Sequence, residues 1–183
     1  MLQLAPPPSF SADYNYIAII IDDIGHNRRD GERAIHIQAH LSFAVIPETK
    51  DAVRLASHVH TAGKEMMVHL PMENTMSQPL GDLALTSGLS EQDVGMVLDN
   101  AVRLAPFSTG INNHMGSALT QEPQAMTWLM RSVKRHKLFF VDSRTPHKSV
   151  TSEIAVQENI RTASRDALYC IDKEFRQLLA VAK

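Results

Sequence analysis

Ile17-Ala18-Ile19-Ile20-Ile21-Asp22-Asp23-Ile24-Gly25 is a run of five apolar residues, four of them Ile, that ends in two adjacent carboxylates and a glycine. An unbroken β-branched run of this length predicts a strand buried on both faces, the pattern of a parallel strand lying under helices. The carboxylates then stand at its C-terminal end, where α/β folds place their chemistry. Adjacent carboxylates repel one another, so a bound cation or a shared proton is the usual reason to keep them together. A helix start capped by Asp22 or Asp23 is the competing local reading.

Further along, the chain alternates between apolar runs and helical patterns. Asn27 to Gln38 reads as a helix, and Leu41 to Pro47 as a second strand stopped by proline. Thr49 is placed to cap a helix from Lys50 to Thr61, with Val53, Ala56 and Val59 inward and Gly63 just past its end. Glu65 to His69 is a third strand. Asn74 to Gly88 has turn composition and the length of a loop over a site. Ser90 and Asp93 resemble a capping box, followed by the stripe Val94, Val97, Leu98, Ala101 and Val102.

A short strand around Thr109-Gly110-Ile111 then runs into Asn112-Asn113-His114-Met115-Gly116-Ser117. Thr120 is placed to cap a helix that turns Met126, Leu129, Met130 and Val133 inward. Leu138 to Val141 is a strand ending at Asp142-Ser143-Arg144. A short helix (Ser152 to Glu158), a weak strand (Ile160 to Ala163) and a helix from Asp172 complete the series. Alternating β and α with no hairpin signal predicts a parallel α/β architecture. Strand after strand ends in groups that ligate or move protons: Asp22-Asp23, His69, Asn112-Asn113-His114, Asp142-Ser143. In a parallel barrel these ends share one face.

Composition limits the alternatives. With 183 residues, 44% hydrophobic and 21% charged, one globular domain over 15–183 is expected, preceded by a Pro-rich linker over 1–14. A net charge of -2 gives no electrostatic footprint for nucleic acid. The one dense basic run, Lys134 to Lys137, falls at a helix end, where cations complement the dipole. Cys170 is the single cysteine, so no intrachain disulfide forms. No apolar run reaches the ~20 residues of a spanning helix, and the N-terminus has no signal-peptide pattern. A cytosolic chain and one whose leader has been removed both fit.

Asp and His at strand ends are the ligand types of a catalytic Zn²⁺ site, which takes three protein ligands and keeps one position open. No Cys cluster and no His-x₃-His helix is present, so the ligands have to come from separate strands. His69 could equally be a strand-end imidazole bonded to a carbonyl, and His114 could simply hold its loop. The other seven histidines lie on expected surfaces or loops. No G-x-S-x-G elbow, P-loop or G-x-G-x-x-G occurs, which disfavours a serine hydrolase or a nucleotide enzyme.

Four stretches carry a family resemblance. Ile19 to Gly25, Gly63 to Glu73, Gly110 to Ser117 and Phe140 to Thr145 are similar, in order, to the divergent polysaccharide deacetylase family, an outlying branch of the NodB-type carbohydrate esterases. The resemblance implies a deformed (β/α) barrel of mostly parallel strands. It also implies one divalent metal, most often Zn²⁺, and hydrolysis of N- or O-acetyl groups on a polysaccharide outside the cytoplasm. Carried over, Asp22 is the general base and Asp23, His69 and His114 hold the metal. Asp142 becomes an orienting carboxylate nearby, and Asn113 and Glu73 substrate contacts.

The chain also departs from the broader pattern. Glu73 stands where a second histidine is usual, and the Asn113-His114-Met115-Gly116-Ser117 stretch replaces an Arg-Pro-Pro motif. A closing strand with a Gly-His-Pro motif has no counterpart before Lys183. The resemblance therefore leaves open a non-catalytic member that binds glycan or a partner protein. It also implies an unpaired barrel edge at Ile17–Ile21, prone to self-association.

Overall fold

A computed structural model describes residues 17–167. Its six strands are β1 (Ile20–Ile24), β2 (Ser42–Val45), β3 (Glu65–Met72), β4 (Gly110–Met115), β5 (Phe139–Asp142) and β6 (Thr162–Ser164). They form one sheet in the order β1-β2-β3-β4-β5-β6, with every neighbouring pair parallel. Each crossover therefore steps one place in the same direction. Because such crossovers are right-handed, the helices stay on one face, whereas a doubly wound sheet reverses at a switch point. This is the winding of a (β/α) barrel left as an open sheet, an α/β fold as the sequence implies.

Five helices cover that face: α1 (Arg28–Ile35), α2 (Ala52–Thr61), α3 (Glu91–Leu104), α4 (Pro123–Arg135) and α5 (Thr151–Gln157). Side chains alternate along each strand, so every second residue meets the helices. Phe43, Val68, Leu70, Ile111 and Phe140 are fully buried in one core with Leu55 of α2, Leu98 of α3 and Leu129 of α4. The Ser90 box is present: its hydroxyl accepts from Asp93 N, and the Asp93 carboxylate accepts from Ser90 N. Val94, Leu98 and Ala101 are buried along α3, with Val97 and Val102 packed partly against them. Gly63 has φ +67, the left-handed conformation that lets it follow the end of α2.

Several local expectations are corrected. β1 covers Ile20–Ile24 rather than the run from Ile17, and it is not buried on both faces: Ile17 is 76% exposed and Ile19 to Ile21 are half-buried. Among the described residues β1 has β2 as its single neighbour, which leaves one side of the strand without cover. β3 does not stop at His69 but continues to Met72, paired with β4 throughout. Thr49 does not cap α2; its hydroxyl donates to the Ile46 carbonyl, and the helix begins two residues later than expected. Val53, expected inward, is 55% exposed, and Leu55 takes its place in the core.

Thr120 lies in a short 3₁₀ turn (Leu119–Gln121), and its hydroxyl donates to the Gly116 carbonyl. α4 instead starts on Pro123, whose missing N–H needs no partner in a first turn. The expected linker over 1–14 and the helix from Asp172 lie outside the described residues. No helix among the described residues is long and apolar enough to cross a membrane.

Candidate metal centre

The site begins with an irregularity in β1. Ile21 pairs with Phe43 and Ile24 with Val45, so Asp22 and Asp23 together stand opposite Ala44 alone. This is a β-bulge, with Asp23 at φ 59. Asp tolerates the left-handed region better than most residues, which suits it to the bulged position. The consequence is chemical. In a regular strand two adjacent side chains point to opposite faces, but here both carboxylates reach groups of β3 and β4.

Register supplies those groups. His69 pairs with Asn112, and Pro71 with His114, so His69, Asn112 and His114 share the sheet face turned away from the helices. His69 is 4% exposed. Asp23 Oδ1 lies 3.1 Å from His114 Nδ1 and 3.4 Å from His69 Nε2. The two imidazole rings meet edge to face, with centroids 4.8 Å apart. The hydrogen bonds of His114 and then of His69 hold the Asp23 carboxyl far below the usual carboxylate range, against the opposing effect of its burial. Asp22 Oδ1 accepts from Asn112 Nδ2 at 2.8 Å, and its other oxygen has no hydrogen-bond partner among the described residues.

One carboxylate and two imidazoles offer three ligand atoms within 4.8 Å of one another. Ligands ~2.0–2.2 Å from a tetrahedral Zn²⁺ stand about 3.4 Å apart, and the two separations from Asp23, 3.1 and 3.4 Å, are close to that value. Asp23 is 61% exposed at its side chain, which leaves the centre open to solvent. The donor set fits a divalent metal with an open coordination position.

Asn113 and Asp142 are placed elsewhere, and strand parity is the reason. Asn113 shares the helix-side face with Ile111, and Asp142 shares it with Phe140. Asn113 is 1% exposed; it accepts from Ser143 N at 2.8 Å and donates to the Met115 carbonyl and to Thr145 Oγ1. Asp142 is 2% exposed and accepts from Arg144 N at 2.7 Å and Ser149 Oγ at 2.8 Å. Both residues fasten the turn after β5 rather than flank Asp22.

Glu73 follows β3 and accepts from Ser87 N at 2.6 Å. It lines a cavity of about 380 Å³ with residues of the 74–88 loop, and it is not among the three converging ligands. Asn112 is named in the strand-end cluster of the sequence but given no role of its own there, and the structure places its amide between Asp22 and His69. Its position two residues before His114 was the available signal, since period-two alternation puts both on one face.

Gly25, at φ +130, closes the bulged segment against the β2–α2 turn. A Cβ there would collide with the Thr49 hydroxyl, and few non-glycine residues adopt that φ. Gly25→Ala is expected to cost roughly 1–3 kcal/mol of stability in urea unfolding, the usual cost of an enforced backbone outlier. Metal affinity should fall with it, because Asp23 lies two residues away. An unchanged midpoint would show that the turn yields freely.

A family model described as divergent polysaccharide deacetylase matches residues 19–180. An uncharacterised protein of Haemophilus influenzae is 33% identical over 167 residues, covering 91% of this chain and 60% of that protein. The uncharacterised protein YibQ of Escherichia coli K12 is 34% identical over 129 residues, covering 70% of this chain and 40% of YibQ. The chain thus spans less than two thirds of either relative. The crystal structure of an uncharacterised protein from Agrobacterium tumefaciens C58 matches with a TM-score of 0.78 at 20% identity, over 88% of this chain and 67% of that one. At that identity the likeness concerns the fold alone.

Proposed function

The chain belongs to the divergent polysaccharide deacetylase family, and from that premise we propose that it is a metal-dependent hydrolase that removes acetyl groups from a polysaccharide. The observation that carries this reading is the convergence of Asp23, His69 and His114 beside a second carboxylate, Asp22. Asp23, His69 and His114 would suit a divalent ion such as Zn²⁺, which when bound would supply Lewis acidity toward the acetyl carbonyl and lower the pKa of water.

The chain's own residues contribute placement and proton transfer. Asp22 has one oxygen fixed by Asn112 and, among the described residues, one without a hydrogen-bond partner, the arrangement of a general base that takes a proton from the attacking water. The bulge sets this base one residue from a ligand, so base and metal site keep a constant separation. The solvent-exposed side chain of Asp23 supports access by a chain-like substrate, and a net charge of -2 does not favour a polyanion such as nucleic acid. Polysaccharides of the cell envelope lie outside the cytoplasm, and that is the compartment in which we place the reaction.

The test combines metal analysis with product detection. The full chain, stripped and reloaded, should retain one equivalent of Zn²⁺ and release acetate from acetylated oligosaccharides in a chelator-sensitive way. Zinc uptake with no acetate from N- or O-acetylated oligomers would overturn the deacetylase reading. Failure to take up zinc would overturn the metal-dependent one.

A further inference from the structure

Asn112 is 1% exposed, and its side-chain amide lies between two groups of the centre. Nδ2 donates to Asp22 Oδ1 at 2.8 Å, and Oδ1 lies 2.8 Å from His69 Nδ1. The direction of this amide is dictated chemically. An ionised carboxylate only accepts, so the NH₂ end must face Asp22. The carbonyl end then faces His69, and because a carbonyl also only accepts, His69 Nδ1 must carry the hydrogen. The lone pair of the neutral ring is therefore on Nε2.

That nitrogen lies 3.4 Å from Asp23 Oδ1. Two acceptors face each other there, an arrangement that becomes favourable only with a cation between them. A proton can fill that role as well as a metal, but Nδ1 keeps its hydrogen in either case.

We propose that Asn112 is the positioning residue of this centre, its one amide fixing the His69 tautomer that frees Nε2 to ligate while holding Asp22 in place. The proposal rests on the metal-dependent reading above for its functional meaning, but the tautomer itself is a property of the metal-free protein. The sheet makes the arrangement rigid, since His69 and Asn112 are register partners on adjacent strands. Few side chains could substitute. Asp would accept from His69 but repel Asp22, and Leu would fill the volume with neither function.

Those two variants separate the roles. In ¹⁵N NMR of the metal-free full chain at pH 8, His69 of the unmodified protein should be the Nδ1–H tautomer. Asn112→Asp should keep that tautomer and keep Zn²⁺ affinity within a few-fold, yet lose at least about tenfold in kcat at little-changed KM through a misplaced base. Asn112→Leu should lose the fixed tautomer and bind Zn²⁺ about 10–100-fold more weakly.

A predominant Nε2–H tautomer in the unmodified chain would overturn the proposal, as would a folded Leu variant with unchanged tautomer and affinity. If the Leu variant fails to fold, the Asp variant decides alone, and wild-type turnover in it overturns the hold on Asp22. A chain that shows the expected tautomer, loses it in the Leu variant and still takes up no zinc would sustain the control of His69 by Asn112 while refuting the metal-dependent reading.

Discussion

Asp22→Asn is expected to lower acetate release by about 10²–10⁴-fold, the usual contribution of a positioned base, and to leave zinc uptake at one equivalent. The expectation follows from how Asp22 is held. Its hydrogen bond with the centre is the one accepted from Asn112, and the carbonyl oxygen of an asparagine still accepts that bond, though more weakly than a carboxylate. The side chain is 31% exposed, so losing the charge leaves no buried void and no orphaned partner. What disappears is basicity. Asp23, His69 and His114 keep their mutual geometry, because none of them relies on Asp22 for a hydrogen bond shorter than 3.5 Å. Parallel loss of metal and turnover would make Asp22 a ligand and place the base elsewhere.

The fold was legible because its signal is periodic and repeated. Apolar runs stopped by polar residues alternate with amphipathic stripes, and the sheet order β1 to β6 repeats the chain order. What sequence reading mistook were effects of neighbours. Ile17 to Ile21 reads as a strand buried on both faces, but exposure depends on how many strands flank it, and composition carries no information on that. Thr49 and Thr120 have capping chemistry, yet each hydroxyl finds a nearer carbonyl three or four residues back.

The site divides along a similar line. Asp23, His69 and His114 were legible as ligand types at strand ends, and the structure brings their ligand atoms together. Asn113 and Asp142 have the same credentials in sequence but the wrong parity, and a strand-end argument without register cannot distinguish the two faces. The bulge at Asp22-Asp23 is the converse case. Alternation would send those carboxylates apart, and only the irregular pairing with β2 turns both toward β3 and β4. Asn112 stands in the same strand-end cluster as Asn113 and His114, and alternation puts it, two residues before His114, on the face of the centre and Asn113 on the other.

Removing a ligand should have a larger effect on the metal than any other single change. His69→Ala and Asp23→Asn are each expected to weaken Zn²⁺ binding well beyond the ~10–100-fold typical of a lost outer hydrogen-bond partner, since each leaves two protein ligands where three converge. Melting temperature reads this without any substrate. Zinc at 100 times its Kd stabilises the folded state by about 2.7 kcal/mol, which for a chain of this size is a rise of roughly 5–10 °C. That rise should vanish in His69→Ala and Asp23→Asn at the same zinc concentration and persist in Asp22→Asn. Glu73→Ala is the informative control. Glu73 stands where the broader family places a second histidine, but its carboxylate is engaged by Ser87 N and His114 is the residue that meets Asp23. The zinc-dependent rise should therefore survive Glu73→Ala. If it were lost there and kept in His114→Ala, Glu73 would be the third ligand, and the contact between His114 and Asp23 would be a hydrogen bond of the metal-free protein only.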